Sequence, residues 1–444
     1  MVLSSIVTGL AGFIFWVLVT KIAGVYVLGV ASAVFSAASI AGTIASAGLA
    51  IAVLRETSAV GIEATGSSIL FSIALGVAAA LIAIPLSRLI GYGGVLAVVA
   101  ALMALFTVIG QSVNGCLLGR GLFHELFASS VAASIAKIGV GVALVSVGLG
   151  VVGVLLGCLA YGLAAVTVGL TFLAVLGVLR KPRLDYLKSI AELTASNYPF
   201  VFSGQLLYML NIYLYVLLGG GVVSTGALYI SLMAILLLAS IPGSLVSAGL
   251  SVSMRRRADT IRDGLRIGLA AVTPLVVVVS FLPSRLLELL SPKLASSGPV
   301  LAVLLASIPP LAIVSAEIMR LNAARRKGML ALIGVIRLAV MATLLPILVP
   351  RLGSLGAALA FTIAVLAPIP LAREVIDRKI ATASLIQVAA IAVSLLGVRG
   401  VGAAIIAGLL SLALIHELRI LTLSEAVSVV KAIIAGVIRG AYRG

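Results

Sequence analysis

The chain has 444 residues, 62% of them hydrophobic and only 10% charged, and a formal net charge of +17. That composition excludes a water-soluble globule, and recurring apolar runs of 18 or more residues, each able to cross about 30 Å of hydrocarbon as a helix, describe an all-α polytopic membrane protein. The positive charge does not point to nucleic acid, because the basic residues are spread through short loops between apolar runs, where they act as topology signals.

About fourteen spans are predicted. The first six are Val2–Thr20, Gly29–Leu54, Ser67–Ser87, Gly93–Leu118, Leu126–Gly148 and Val151–Leu179. No basic segment precedes the first, which leads directly into another span, so it reads as helix 1 and not as a cleaved peptide. In span 4, Gln111 and Asn114 are polar groups that suit either a sugar or a neighbouring helix. Cys116 and Cys158 fall inside spans 4 and 6 without ligand-like neighbours and read as small core residues, and no cofactor or metal is expected.

The stretch RKPRLDYLKSIAEL, Arg180 to Leu193, is the longest polar run and reads as a linker, placing an N-terminal unit at 1–180, a cytoplasmic linker at 181–197 and a second unit at 198–372. The second unit holds spans Tyr198–Leu218, Gly226–Met254, Leu265–Leu282, Val300–Met319, Met329–Val349 and Ser354–Ala372. Gln205, Tyr208, Asn211 and Tyr215 form a stripe along one face of span 7, fitted either to sugar rings or to interhelical hydrogen bonds. Pro274 in span 9 and Pro309–Pro310 in span 10 remove backbone donors, allowing kinks that serve gating or plain packing. Glu317 lies three residues before Arg320, as a local ion pair or a coupling carboxylate.

Spans Ala381–Val398 and Val401–Ile415 belong to an appended region, 373–444. Beyond them, Thr422 and Glu425 make a capping-box pattern that opens an amphipathic tail helix, suited to anionic lipid at the cytoplasmic face.

Basic residues concentrate in the even-numbered loops and the tail, whereas the odd-numbered loops hold only Lys21, Arg88, Arg285, Lys293, Arg351 and Arg399. The even loops and both termini are therefore expected in the cytoplasm of a multi-pass cell-membrane protein. The remaining two cations, Lys137 and Arg337, fall within spans 5 and 11. At 1.5 Å per residue from the span edges they lie about 15 to 18 Å deep, where a charge costs about 2.5 to 3.5 kcal/mol on insertion scales. A wet cleft taking an anionic headgroup would solvate them; the competing readings are snorkelling for Lys137 and backbone carbonyls for Arg337.

Three stretches recur about 200 residues apart. SAGLAIAVLR, Ser46–Arg55, returns as SAGLSVSMRR, Ser247–Arg256; Gly24-Val25 and Gly29 return as Gly221-Val222 and Gly226; LGVVGVLLG, Leu149–Gly157, returns as LGSLGAALA, Leu352–Ala360. Six spans per unit makes two parallel repeats, related by an axis along the membrane normal. Arg55 and Arg256 end the repeated stretch at the cytoplasmic mouth, as topology anchors or as phosphate contacts.

These stretches, with KIAGVYVLGVAS after the opening span and GALYISLMAILLLASIPGSL in span 8, resemble the polysaccharide (O-antigen type) flippases of the multidrug/oligosaccharidyl-lipid/polysaccharide (MOP) exporter superfamily. The resemblance covers most of residues 1 to 372. It implies two six-helix lobes in a V, alternating access and lipid-linked sugars as cargo, often with two appended C-terminal helices.

No external loop is large, the histidines, His124 and His416, lie at cytoplasmic edges, and there is no P-loop pattern, so the expectation is a transporter and not an enzyme. The expected function is a flippase moving a polyprenyl- or dolichyl-phosphate-linked saccharide outward, with Lys137, Arg337, Arg55 and Arg256 toward the phosphate, as a monomer. The alternative is a cation-coupled drug exporter, which would bring in a coupling cation.

Overall fold

The computed structural model describes residues 2–253, 260–324, 326–422 and 425, and among them every regular element is helical. In chain order the helices are α1 (Val2–Ser46), α2 (Leu49–Val60), α3 (Thr65–Leu89), α4 (Val95–Gly119), α5 (Phe123–Ser146) and α6 (Gly150–Val175). They continue as α7 (Leu184–Leu217), α8 (Val222–Ser253), α9 (Thr260–Phe281), α10 (Pro283–Glu288), α11 (Gly298–Leu305) and α12 (Ile308–Ala323). The last four are α13 (Lys327–Leu352), α14 (Ser354–Leu366), α15 (Arg378–Leu395) and α16 (Val401–Glu417).

A straight helix of 45 residues would run about 68 Å, twice the thickness of a bilayer core. α1 has that length and is broken at Gly24, whose φ of 83° and ψ of 170° are far from helical. A second break, at left-handed Gly48, separates α1 from α2.

Ten helical runs among the described residues are long and apolar enough to cross a membrane, or eleven if α14 and the 3-10 turn after it, bent by 48°, count as one. The chain is a multi-pass membrane protein. Fourteen separate spans are not individually resolved by length and composition: the first two expected spans share α1, while Leu206–Leu217 and α16 are shorter apolar helices. The polar run expected as a separate linker is also built differently, since Leu184–Asn197 forms the opening turns of α7. The segment before it is strapped to α3, where Thr65 Oγ1 donates to Val178 O (2.7 Å) and Arg183 N donates to Ser67 Oγ (2.8 Å).

One order of packing is met in both halves. α5 lies on α6 as α13 lies on α14, α1 on α5 as α7 on α13, and α4 on α6 as α11 on α14. The LG frames behave alike: Gly150 (φ 48°) and Gly353 (φ 58°) adopt the left-handed turn that a side chain resists, each opening the helix that follows. Three residues on, a Cβ on Gly153 would meet Leu144 and Val145, and one on Gly356 would meet Leu348 and Val349, so both glycines let the helix close on its predecessor.

The halves meet chiefly through α1 and α2 against α7 and α8. A Cβ on Gly29 would lie 2.0 Å from Val222 O, and one on Gly226 would lie 3.0 Å from Val25 O. Val25 and Gly29 are the sequence echoes of Val222 and Gly226, so the contact is reciprocal. The second SAGL copy runs without a break in α8, unlike the first. α15 and α16 lie outside the halves against α9, where Gln387 Nε2 donates to Thr273 Oγ1 (2.8 Å) and Gly400 N donates to Phe281 O (3.2 Å).

Candidate functional site

Lys137 projects from α5, half-buried, with Nζ 4.7 Å from the centre of the Phe15 ring and 5.5 Å from that of Trp16. A Cβ on Gly141, one turn along, would lie 2.5 Å from Phe15 Cε2, so that glycine makes the recess in which the ring rests beneath the ammonium. Trp16 continues the group, meeting Tyr229 of α8 edge-on at 4.8 Å and Phe35 at 6.0 Å. Aromatic faces carry negative potential and attract a cation by about 0.5 to 2 kcal/mol, more as water is withdrawn. Lys137 thus caps an aromatic cluster that crosses the seam between the halves.

Arg337 lies on α13 and is 5% exposed. The Tyr208 hydroxyl of α7 faces its guanidinium, and its Nε has no hydrogen-bond partner. Tyr208 packs on Phe361 of α14, ring centres 5.4 Å apart. One turn along α7, fully buried Asn211 donates from Nδ2 to Ala357 O (2.9 Å), leaving Oδ1 without a donor. Each cation faces the first helix of its own half, and the structure does not bring the two together.

Of the span 7 stripe, Tyr208 and Asn211 therefore share the α7–α13–α14 junction with Arg337. Tyr215 is 2% exposed and donates to Ser224 Oγ (2.9 Å) within the α7–α8 hairpin, while the side chain of Gln205 lies outside the described residues. In α4, Gln111 Oε1 accepts from Ser46 Oγ (3.3 Å), and Asn114 is half-buried one turn on. Arg55 is exposed on α2; Arg256 lies outside the described residues. Pro274 leaves α9 continuous, whereas Pro309 and Pro310 fall in the first turn of α12, after the break that parts it from α11. Cys116 and Cys158 are free and buried, and no cluster of metal-ligating side chains occurs among the described residues.

Glu317 has its partner on its own helix. Arg320 grips the buried carboxylate with two nitrogens, at 2.9 and 2.7 Å, and reaches Glu374 at 2.6 Å. At the start of the tail, Thr422 N donates to Glu425 Oε2 (2.9 Å) and Glu425 N to Thr422 Oγ1 (3.3 Å), a closed capping box held to α9 by Arg266 at 2.6 Å. Arg266 and the Thr422 donors hold the Glu425 carboxyl down at about 2.

The aromatic cluster was not anticipated. Its signals were Trp16, the sole tryptophan in the chain, beside Phe15 and near Phe13 in the first span. The partners Lys137 and Tyr229 are remote in sequence and show no local pattern.

Among solved structures, the chain is similar to the lipid II flippase MurJ in an inward closed conformation, with a TM-score of 0.66 at 16% identity over 93% of this chain and 96% of that one. Its fold is that of the MOP superfamily transporters. An inward-facing multidrug resistance MATE transporter of that superfamily matches with a TM-score of 0.60 at 16% identity, over 88% of this chain and 96% of that one. A MOP superfamily transporter from Pyrococcus furiosus, described as having a binding pocket of reverse polarity, matches with a TM-score of 0.50 at 16% identity, over 86% and 93%. No protein-family model and no curated protein matches the sequence.

Proposed function

We propose that the chain is an alternating-access flippase that carries a lipid-linked saccharide, on a polyprenyl or dolichyl phosphate or pyrophosphate, from the cytoplasmic to the outer leaflet. The observation that carries this reading is the pair of interior cations. Lys137 and Arg337 stand at corresponding places in the two halves, and neither has a carboxylate partner among the described residues. The span carboxylate that could have served a cation, Glu317, is already held by Arg320. An interior whose unmatched charge is positive suits a phosphate.

Fourteen spans arranged as two parallel six-helix repeats in a V, plus the α15–α16 pair, fit the reciprocal Gly29–Val222 and Gly226–Val25 contact. In this arrangement both termini and the even loops are cytoplasmic, and the protein acts as a monomer. Lys137, next to the seam, meets the headgroup first. Arg337, enclosed by Tyr208 and Phe361, becomes reachable when α7 moves against α13. Tyr208, Asn211, Tyr215, Gln205, Gln111 and Asn114 are assigned to the sugar, Arg55 and Arg256 to phosphate capture at the mouth, and Pro274, Pro309 and Pro310 to bending during gating. Moving a dianionic headgroup outward across a potential negative inside releases about 4 to 5 kcal/mol per 100 mV, so no nucleotide site is needed.

Mass spectrometry of lipids co-purified with the protein tests the cargo. The expected result is retention of a phosphate-bearing polyprenyl or dolichyl saccharide. Retention of bulk phospholipid alone, together with drug export driven by a sodium or proton gradient, would favour the cation-coupled exporter instead.

A further inference from the structure

Among the described residues, no carboxylate balances the charge of Arg337. Guanidinium does not release its proton in proteins, so it cannot escape burial by becoming neutral, and an unpaired buried charge is among the costliest features a fold can hold. Lys137 escapes this difficulty through partial exposure and two aromatic faces. Arg337, 5% exposed, has only a phenol before it, and its Nε donor has no acceptor.

The surroundings limit what the missing partner can be. α7, α13 and α14 converge there, with the Tyr208 ring against Phe361 and the Asn211 amide tied to Ala357 O. Thr362, the next polar side chain on α14, is spent on Val303 O at 3.2 Å. Among the described residues, what remains is the Arg337 Nε donor without an acceptor and, a turn along α7 from Tyr208, Asn211 Oδ1 without a donor. A buried guanidinium that has a phenol oxygen for one N–H and no acceptor for its Nε calls for an anion, and 5% exposure favours a small one.

We propose that the α7–α13–α14 junction binds one small monovalent inorganic anion of the halide class, held by Arg337 and Tyr208 while no cargo is present. A water beside the anion, donating one hydrogen to it and the other to Asn211 Oδ1, satisfies the remaining acceptor. This deepens the proposed function by naming what occupies the guanidinium before headgroup phosphate takes its place. Binding is measured without cargo, so failure of the flippase reading leaves it standing and its own failure leaves the flippase reading to the cargo experiment.

The test uses the full-length protein in nanodiscs of neutral lipid, with radiolabelled chloride as the probe. Wild type is expected to bind one chloride saturably, and to gain at least about 2 °C in unfolding midpoint when chloride replaces gluconate at constant ionic strength. Arg337→Gln loses both effects, Tyr208→Phe weakens the binding, and Lys137→Gln keeps it. Absence of saturable binding to wild type overturns the proposal without recourse to any variant. Undiminished binding in folded Arg337→Gln identifies an adventitious ion only. Inorganic phosphate competing as well as chloride overturns the halide assignment.

Discussion

Trp16 ties α1 to α5 and α8. It touches Phe15, Phe35 and Tyr229, lies beneath Lys137, and is 2% exposed. Trp16→Ala should therefore cost about 3–5 kcal/mol, read as a lowered midpoint in detergent unfolding, with Trp16→Phe much milder. Arg320→Ala leaves the carboxylate of Glu317 buried and alone, at a cost of about 3–5 kcal/mol, whereas Glu317→Gln, which keeps the shape and removes the charge, should cost less in the same measurement. Local relations of this kind were legible in the sequence: Glu317 with Arg320 and Thr422 with Glu425 are three residues apart, a spacing fixed by one helical turn. Tertiary partners were not. The depth of Lys137 and Arg337 follows from counting along a helix, but the rings facing Lys137, and the lack of any acid facing Arg337, depend on which helices converge.

Between helices, close approach at glycine governs the seam. Gly29→Ala and Gly226→Ala should both lower the unfolding midpoint by driving α1 from α8, while Gly12→Ala, with open space around it, should not. The Glu425 latch to α9 gives a pH-dependent contact. Its carboxyl titrates at about 2 when latched and near 4.5 ordinarily, so the contribution is complete above about pH 4.5 and disappears as pH falls toward 2. Protection of the Thr422 amide from hydrogen exchange, relative to an unstructured peptide, should follow that window, become independent of pH in Glu425→Gln, whose amide oxygen still accepts, and be low at every pH in Glu425→Ala. Helix boundaries explain where span counting goes astray. Apolar runs identify crossings, but α1 passes from one to the next with Gly24 as its only break, and the polar run before span 7 joins α7 even though Pro199, a residue that commonly ends a helix, stands at the join.

Across the whole molecule, the two halves press together along α1, α2, α7 and α8, and any transport cycle that opens one end has to part that seam. The three echoes were readable because they keep their order and spacing; that Gly29 and Gly226 would close on each other's flanking residues was not, since which helices converge leaves no mark in one chain. The most direct measurement is flipping of a polyprenyl-phosphate-linked saccharide in proteoliposomes. Wild type should accelerate it, and Lys137→Ala and Arg337→Ala should each slow it at least about tenfold, equivalent to about 1.4 kcal/mol, at equal folded protein. Wild-type rates in both variants would contradict a cationic interior built for phosphate.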